Sequence, residues 1–213
     1  VTLRCNHKCV YCQASSKDFS DHRYDMSQDT ARRVVDTIFE SPSPDITIEF
    51  QGGEPLANWP VVQFIVDYAL EKNKTAGKTL MLNCVSNMSL MDPEKLDFLL
   101  QREVNFCTSL DGPAEVHNRN RVFLGGNSHG EAVKWWKIIM KKTAKKIFRI
   151  DALLTTTRFT LAHPREVVDE YLRLGARGIY LRFLNPFGLA RGTWEKIGYT
   201  PEQFLEFYRG AMD

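Results

Sequence analysis

No stretch of this sequence comes near the roughly 20 consecutive apolar residues that a membrane-spanning helix needs, and no secretory signal peptide opens it. Charge of one sign is missing too: 28 Lys and Arg stand against 26 Asp and Glu, a formal net charge of +2. That balance gives no strong pull toward nucleic acid or an anionic membrane. Nor is there a stripe of interleaved aromatic and basic residues of the kind that binds single strands. Linkers, low-complexity tracts and charge blocks are absent along the 213 residues, so one domain over 1–213 is the reading adopted. Cysteine is scarce and odd in number, five in all. Such a count does not build a disulfide framework and points instead to metal-bound thiols in a reducing cytoplasm. A starting Met is also missing, which suggests a chain trimmed at its ends.

What is present starts with three of those cysteines, Cys5, Cys9 and Cys12, spaced C-x3-C-x2-C just after Val1-Thr2-Leu3. A ferredoxin holds its cluster with four thiolates. Three on a [4Fe–4S] cluster leave one iron open to a small molecule, as a catalytic zinc site keeps one open position. A zinc knuckle completed by His7 or His22 is the other reading of the loop, although no second C-x2-C pair follows.

Downstream, strand-like and helix-like patterns alternate. Helices are predicted over about Gln28–Phe39, from Pro60 to Asn73, over Asp92–Leu100 and Ser128–Ala144, from His163 to Gly175, and from Thr200 onward. Strands are predicted at Val1–Leu3, Ile46–Phe50, Thr79–Ser86, Val104–Leu110, Ile147–Thr155 and Ile179–Leu184, with a long loop from Asp111 to Asn127. Six strands each followed by a helix make an α/β fold with a parallel sheet and outer helices, either a closed barrel or a doubly wound sheet. The unusual residues cluster after strands one, two and four, at the C-terminal end of the sheet where α/β sites lie. Gly52-Gly53-Glu54-Pro55 follows strand two, where adjacent glycines admit close backbone approach. Ser109-Leu110-Asp111-Gly112-Pro113 follows strand four, then His117 and Arg121, whose planar fork suits a carboxylate. Read from the residues alone, each of these is equally a capped turn.

Together they resemble a known family. The cysteine loop with Tyr11 before its third thiol is similar to the cluster loop of the radical S-adenosylmethionine (radical SAM) enzymes, and Gly52-Gly53-Glu54 resembles their GGE motif. The S-L-D-G-P…H-x3-R arrangement resembles the branch that modifies peptides and proteins, including the anaerobic sulfatase-maturating enzymes. The segments around Cys5–Gln13 and His117–Arg121 look most like maturases associated with His-Xaa-Ser repeat peptides.

The resemblance implies a partial (βα)6 barrel. It implies that Cys5, Cys9 and Cys12 bind a [4Fe–4S] cluster, and that Gly52, Gly53 and Glu54 contact the amino group of S-adenosylmethionine. Ser109 and Arg121 would also reach that cofactor, Tyr11 would pack on the cluster or adenine, and His117 would order the loop. Reductive cleavage of S-adenosylmethionine and hydrogen abstraction from a peptide or protein would follow, with electrons from a flavodoxin- or ferredoxin-type donor. A C-terminal domain with auxiliary clusters, common in that branch, would lie outside this chain. A small-molecule substrate is the alternative within the family, and a non-catalytic zinc- or cluster-binding module is the alternative outside it. Met88 stands where the branch commonly has glycine after Ser86-Asn87, so the turn there is expected to differ. Cys84 and Cys107 are read as inert strand thiols. Arg149, Asp151, Arg182 and Asn185 are read as candidates to face a lumen, and Lys134–Lys146 as a solvated basic stretch.

Overall fold

The computed structural model describes residues 1–143 and 150–213. Five parallel strands form its sheet: β2 (Asp45–Phe50), β3 (Thr79–Ser86), β4 (Asn105–Ser109), β6 (Ile150–Thr155) and β7 (Ile179–Arg182), side by side in that order. β2, β3, β4 and most of β6 alternate in burial. Ile46, Ile48 and Phe50, with Leu82, Cys84, Phe106, Ala152 and Leu154, face one way into the main core. On the other face lie Glu49, Asn83, Asn105, Cys107, Asp151 and Arg182, around an open cavity of about 620 Å3. One parity packs and the other lines a lumen, the arrangement of a barrel wall with helices outside.

The helices cover the packed face. In α1 (Gln28–Phe39), Ser27 caps the first turn by accepting from the Thr30 amide, and Ala31, Val35 and Phe39 are buried. Val34, apolar like its neighbour Val35, is exposed. α2 (Trp59–Ala76) buries Val62, Ile65, Val66 and Ala69, then ends at Gly77, whose left-handed φ of 62° closes it. α3 (Pro93–Gln101) starts at its Asp92 cap. α5 (Ser128–Thr143) sinks Trp135, Trp136 and Ile139 while Lys134, Lys137, Lys141 and Lys142 stay exposed, the solvated face foreseen. α6 (Pro164–Arg173) and α8 (Pro201–Met212) close the set, the latter on a Thr200–Gln203 capping box. Ala144, Lys145, Lys146, and the start of the fifth predicted strand at Ile147 through Arg149, lie outside the described residues.

Three expectations change. Val1–Leu3 does not form a ladder strand: Thr2 makes single bridges, parallel to Gly52 and antiparallel to Asp25. The chain meets β2 only beyond its last residue, then leaves the sheet because Arg4 pairs with Lys17 and the cysteine loop begins. The supposed loop from Asp111 contains α4 (Ala114–Asn120) and β5 (Arg121–Phe123), the latter antiparallel to β1 (His7–Cys9). A further helix, α7 (Leu189–Ile197), starts at Gly188.

The diglycine turn fixes the N-terminal segment. The Gly53 amide donates to the Thr2 carbonyl at 2.8 Å and that of Glu54 to the Arg4 carbonyl at 2.7 Å. A Cβ on Gly53 would lie 2.2 Å from the Arg4 carbonyl oxygen, and one on Gly52 2.1 Å from that of Thr2. Both clashes are with backbone, which cannot swing aside. Gly53→Ala is therefore expected to lower stability by about 2 kcal/mol or more, through displacement of packed chain. Gly192→Ala, in α7 with open space around its Cα, is expected to be neutral or to stabilise by about 0.5–1 kcal/mol. Urea denaturation of the two variants measures the contrast.

Candidate active site

A cavity of about 190 Å3 opens at the C-terminal end of the strands, and Cys5, Cys9 and Cys12 all line it. So do the other residues singled out from the sequence: Tyr11, Gly52, Gly53, Glu54, Ser109 and Arg121. Chain segments more than a hundred residues apart meet here because β1 pairs with β5, which places Cys9 opposite Arg121. The Val10 amide extends the ribbon to the Asn120 carbonyl at 2.9 Å. From the other side α7 holds the loop, with the Leu189 amide on the Cys12 carbonyl at 3.0 Å and Thr193 Oγ1 on that of Val10 at 3.0 Å.

The sulfurs have backbone donors: the His7 amide to Cys5 Sγ and the Ser16 amide to Cys12 Sγ, each at 3.3 Å. Burial pushes the Cys5 thiol up to about 12 and the Cys9 thiol to about 11. Both are therefore thiols at neutral pH, and a bound cation would have to displace their protons.

Asp111 is the buried centre of the site. Its Oδ2 accepts from the Tyr11 hydroxyl at 2.5 Å, and its Oδ1 from Arg121 Nη2 at 3.0 Å and the Thr155 amide at 3.2 Å. Burial works against the Arg121 cation, yet the Asp111 carboxylate outweighs it and raises the guanidinium well above its usual value. Arg121 also lies 5.3 Å from the centroid of the Tyr11 ring. Arg121 is only 7% exposed, and among the described residues its Nε has no partner. Tyr11 is held by protein on two sides, by Asp111 and by a small apolar cluster with Leu184, Ala190 and Ile197. The sequence reading quoted Asp111 in its motif and gave it no role.

Glu54 is 1% exposed, and among the described residues no cation forms an ion pair with it. Oε1 accepts from the Leu56 amide at 3.1 Å and Ser86 Oγ at 2.9 Å, and Oε2 from the Asn87 amide at 2.9 Å. A carboxylate offers about four acceptor directions, so one remains. Burial raises its pKa to about 7, against those three donors. Asn87, left without a role by the sequence reading, also sends its side-chain amide to Asn6 Oδ1 at 3.1 Å and toward Cys5 Sγ at 3.9 Å. The turn after it keeps the glycine-like backbone that Met88 was expected to change: Met88 sits at φ 65° with its side chain fully buried. Packing thus holds a conformation that costs an L-residue roughly 1–2 kcal/mol.

Other readings separate here. Arg182 lines both this cavity and the lumen below it, whereas Asp151 and Cys107 line only the lumen. Cys84 is buried in the core, and Asn185 lines neither cavity. Gln13, whose Nε2 is buried without a partner among the described residues, joins the site; it ends the Cys5–Gln13 segment of the resemblance but was assigned no role there.

Two outcomes follow. Asp111→Ala strands a buried guanidinium and should cost ~3–5 kcal/mol in metal-free protein by urea denaturation. Glu54 has a higher pKa folded than unfolded, so it contributes stability that is complete below about pH 4.5 and lost as pH rises through about 7. Measured at pH 5 and pH 8, the stability difference between parent and Glu54→Gln should shift in the variant's favour at the higher pH.

Comparison with known proteins fits this geometry. Residues 1–123 match the family model of the Radical SAM superfamily. An uncharacterised protein of Methanocaldococcus jannaschii is 27% identical over 87% of this chain, and a cysteine-type anaerobic sulfatase-maturating enzyme of Clostridium perfringens is 26% identical over 98%. The chain spans 61% of the first protein's length and 56% of the second's. A solved structure of native anSMEcpe with bound AdoMet (S-adenosylmethionine) and Kp18Cys peptide matches the whole chain over 57% of its own, with a TM-score of 0.83 at 21% identity. That likeness decides for the partial barrel over the doubly wound sheet. With more than half its length matched by the family model, this chain belongs to the Radical SAM superfamily, whose enzymes use a [4Fe–4S] cluster and AdoMet.

Proposed function

We propose that this chain forms the cofactor-binding core of a radical SAM enzyme that modifies a peptide or protein. The observation that carries this reading is the shared cavity: three thiols open on the same space as a buried arginine whose Nε lacks a partner. An unpartnered buried donor costs about 1–3 kcal/mol, so a ligand that accepts from it is favoured. The donor set fits the two cofactors. Cys5, Cys9 and Cys12 would hold the [4Fe–4S] cluster and leave one iron for AdoMet. Arg121 Nε would bind the AdoMet carboxylate. The free acceptor direction of Glu54 and the Gly52–Gly53 backbone would receive its ammonium group, and Ser109 would line its path. Tyr11 closes the wall behind them. When bound, the pair supplies one-electron cleavage of the AdoMet sulfonium and abstraction of hydrogen from substrate.

The chain's own part is to orient and to shield. Arg121 stays charged because Asp111 never leaves it. Gly188 belongs to the same wall, since a Cβ there would lie 2.5 Å from the Cys12 carbonyl oxygen. A peptide or protein substrate is supported by the lumen, whose cavity shares Gln51, Val85, Leu153 and Arg182 with the cofactor site. The likeness to a sulfatase-maturating enzyme points the same way. A flavodoxin- or ferredoxin-type donor would supply electrons, and a reducing cytoplasm suits all five free thiols. Among the described residues no helix is long and apolar enough to cross a membrane. The zinc reading is disfavoured by its missing fourth ligand. Both ring nitrogens of His7 are engaged, by Asn6 and Ser128, and His22 turns away to Asp25.

Anaerobic reconstitution with iron and sulfide tests the proposal. A brown protein with about four irons per chain should release 5′-deoxyadenosine from AdoMet under a strong reductant. A cluster without that product above background overturns the reading, as does stoichiometric zinc without brown colour. Arg121→Lys lacks the planar fork and should weaken AdoMet binding roughly tenfold, read by calorimetry at unchanged iron content.

A further inference from the structure

Beneath the cysteine loop runs a chain of buried polar groups, of which His7 lines the cofactor cavity while His117 and Ser128 lie behind it. His117, His7 and Ser128 are at most 2% exposed. The Asp111 amide can only donate, and it points at His117 Nδ1 at 3.2 Å. That nitrogen must therefore accept, which puts the proton of a neutral ring on Nε2. Nε2 lies 2.8 Å from Ser128 Oγ and donates to it. Ser128 is then free to donate onward, and His7 Nε2 stands 2.9 Å away. His7 accepts there, so its proton sits on Nδ1, 3.2 Å from Asn6 Oδ1. The Asn6 side chain is fixed in turn by a ring: its Nδ2 donates to Ser89 Oγ at 2.7 Å, Ser89 donates to Asn87 Oδ1 at 2.6 Å, and Asn87 Nδ2 returns to Asn6 Oδ1 at 3.1 Å. That Asn87 amide and the His7 backbone amide are two groups that face Cys5 Sγ.

From this directionality we infer that His117, Ser128 and His7 form a one-way hydrogen-bond relay, a set of positioning residues in which the His117 donor, through Ser128, fixes the His7 tautomer beside the donors facing Cys5 sulfur. The inference rests on the reading that Cys5 is a cluster ligand only for its consequence, not for its geometry. One end is the Asp111 backbone, whose side chain holds Arg121; the other is a thiolate ligand. Hydrogen bonds to a ligating sulfur favour the reduced cluster, so relaxing them should make its potential more negative. Stacking of His7 on Phe123, with ring centroids 4.6 Å apart and 6° between planes, holds the ring in register whichever way the protons run.

Two substitutions at one position separate relay from packing. His117→Asn keeps an acceptor near the Nδ1 position and loses the donor to Ser128. His117→Gln keeps a donor near Nε2 and loses the acceptor. Histidine 15N spectra of metal-free protein read the tautomers directly, independent of any cluster. The parent should show His117 protonated on Nε2 and His7 on Nδ1. His117→Asn and Ser128→Ala should each remove the single His7 tautomer and shift the reconstituted cluster to a more negative potential, whereas His117→Gln should preserve both. His7 protonated on Nε2 in the parent would overturn the relay. So would His117→Asn and His117→Gln giving equal potentials. Should the variants fail to fold, the parent's two tautomers decide alone. Failure to bind iron at all would instead count against the proposed function and leave the tautomer result standing.

Discussion

A single carboxylate, that of Asp111, ties together four parts of the chain where the β1–β5 ribbon meets the ends of the neighbouring strands β4 and β6. It sits at the end of β4, takes the Tyr11 hydroxyl from the cysteine loop, the Arg121 guanidinium from β5 and the Thr155 amide from the end of β6. Desolvating a carboxylate and a guanidinium costs several kcal/mol each, and their attraction repays this only when the remaining lone pairs are satisfied. Tyr11 and Thr155 satisfy them. The pair is therefore poor evidence for stability gained and good evidence for geometry imposed. Remove it, and the cysteine loop keeps its thiols while Arg121 loses the contact that aims its Nε into the cavity.

The same double duty runs through the diglycine motif. A ligand-centred view makes Gly52 and Gly53 small so that a ligand can come close. The structure gives a second reason: the Thr2 and Arg4 carbonyls already occupy the space a Cβ would need. Glu54 likewise accepts from three protein donors before any ammonium arrives. Its pKa near 7 marks a site in which desolvation exceeds what those donors return. A cationic group beside it would tilt the balance back to the carboxylate. The motif thus both ties the N-terminal segment to β2 and sets up a charge suited to a positive partner.

How much of this was legible in the sequence depends on how local the cause is. The strands β2, β3 and β4 read correctly because one face is apolar and the other is not, which is visible at a period of two. Asp151 and Arg182 were candidates for the lumen, which alternation permits without deciding, and they line it, whereas Asn185 does not. The helix α4 was invisible because its buried positions are Val116, His117 and Asn120, two of them polar, so no apolar stripe exists over its seven residues. β5 escaped for a related reason: three residues paired across a hundred-residue gap leave no periodic trace. Motif residues were found by pattern, yet Asp111, Gln13 and Asn87 needed coordinates, because their importance lies in partners from distant segments. Met88 shows the reverse error. The sequence rule that φ above zero wants glycine is sound, and a fully buried side chain overrode it.

The polar lumen is the remaining departure from what stability alone would select. A barrel interior is ordinarily filled by layers of branched apolar side chains. Here Glu49, Asn83, Asn105, Asp151 and Arg182 line one that is open, with about 620 Å3 of space. Replacing them with Val or Leu would bury roughly 1.5–3 kcal/mol of side chain at each position that closed over. The sheet gives up that gain at these positions, interspersed with Met81, Val85, Leu153 and Tyr180, while packing the other face densely around Trp136, Phe106 and Tyr171. Such an asymmetry follows if the lumen must stay hydrated and open until something polar enters it. Arg182, which lines both cavities and keeps a buried Nε without a partner, stands where that entrant would meet the cofactor site.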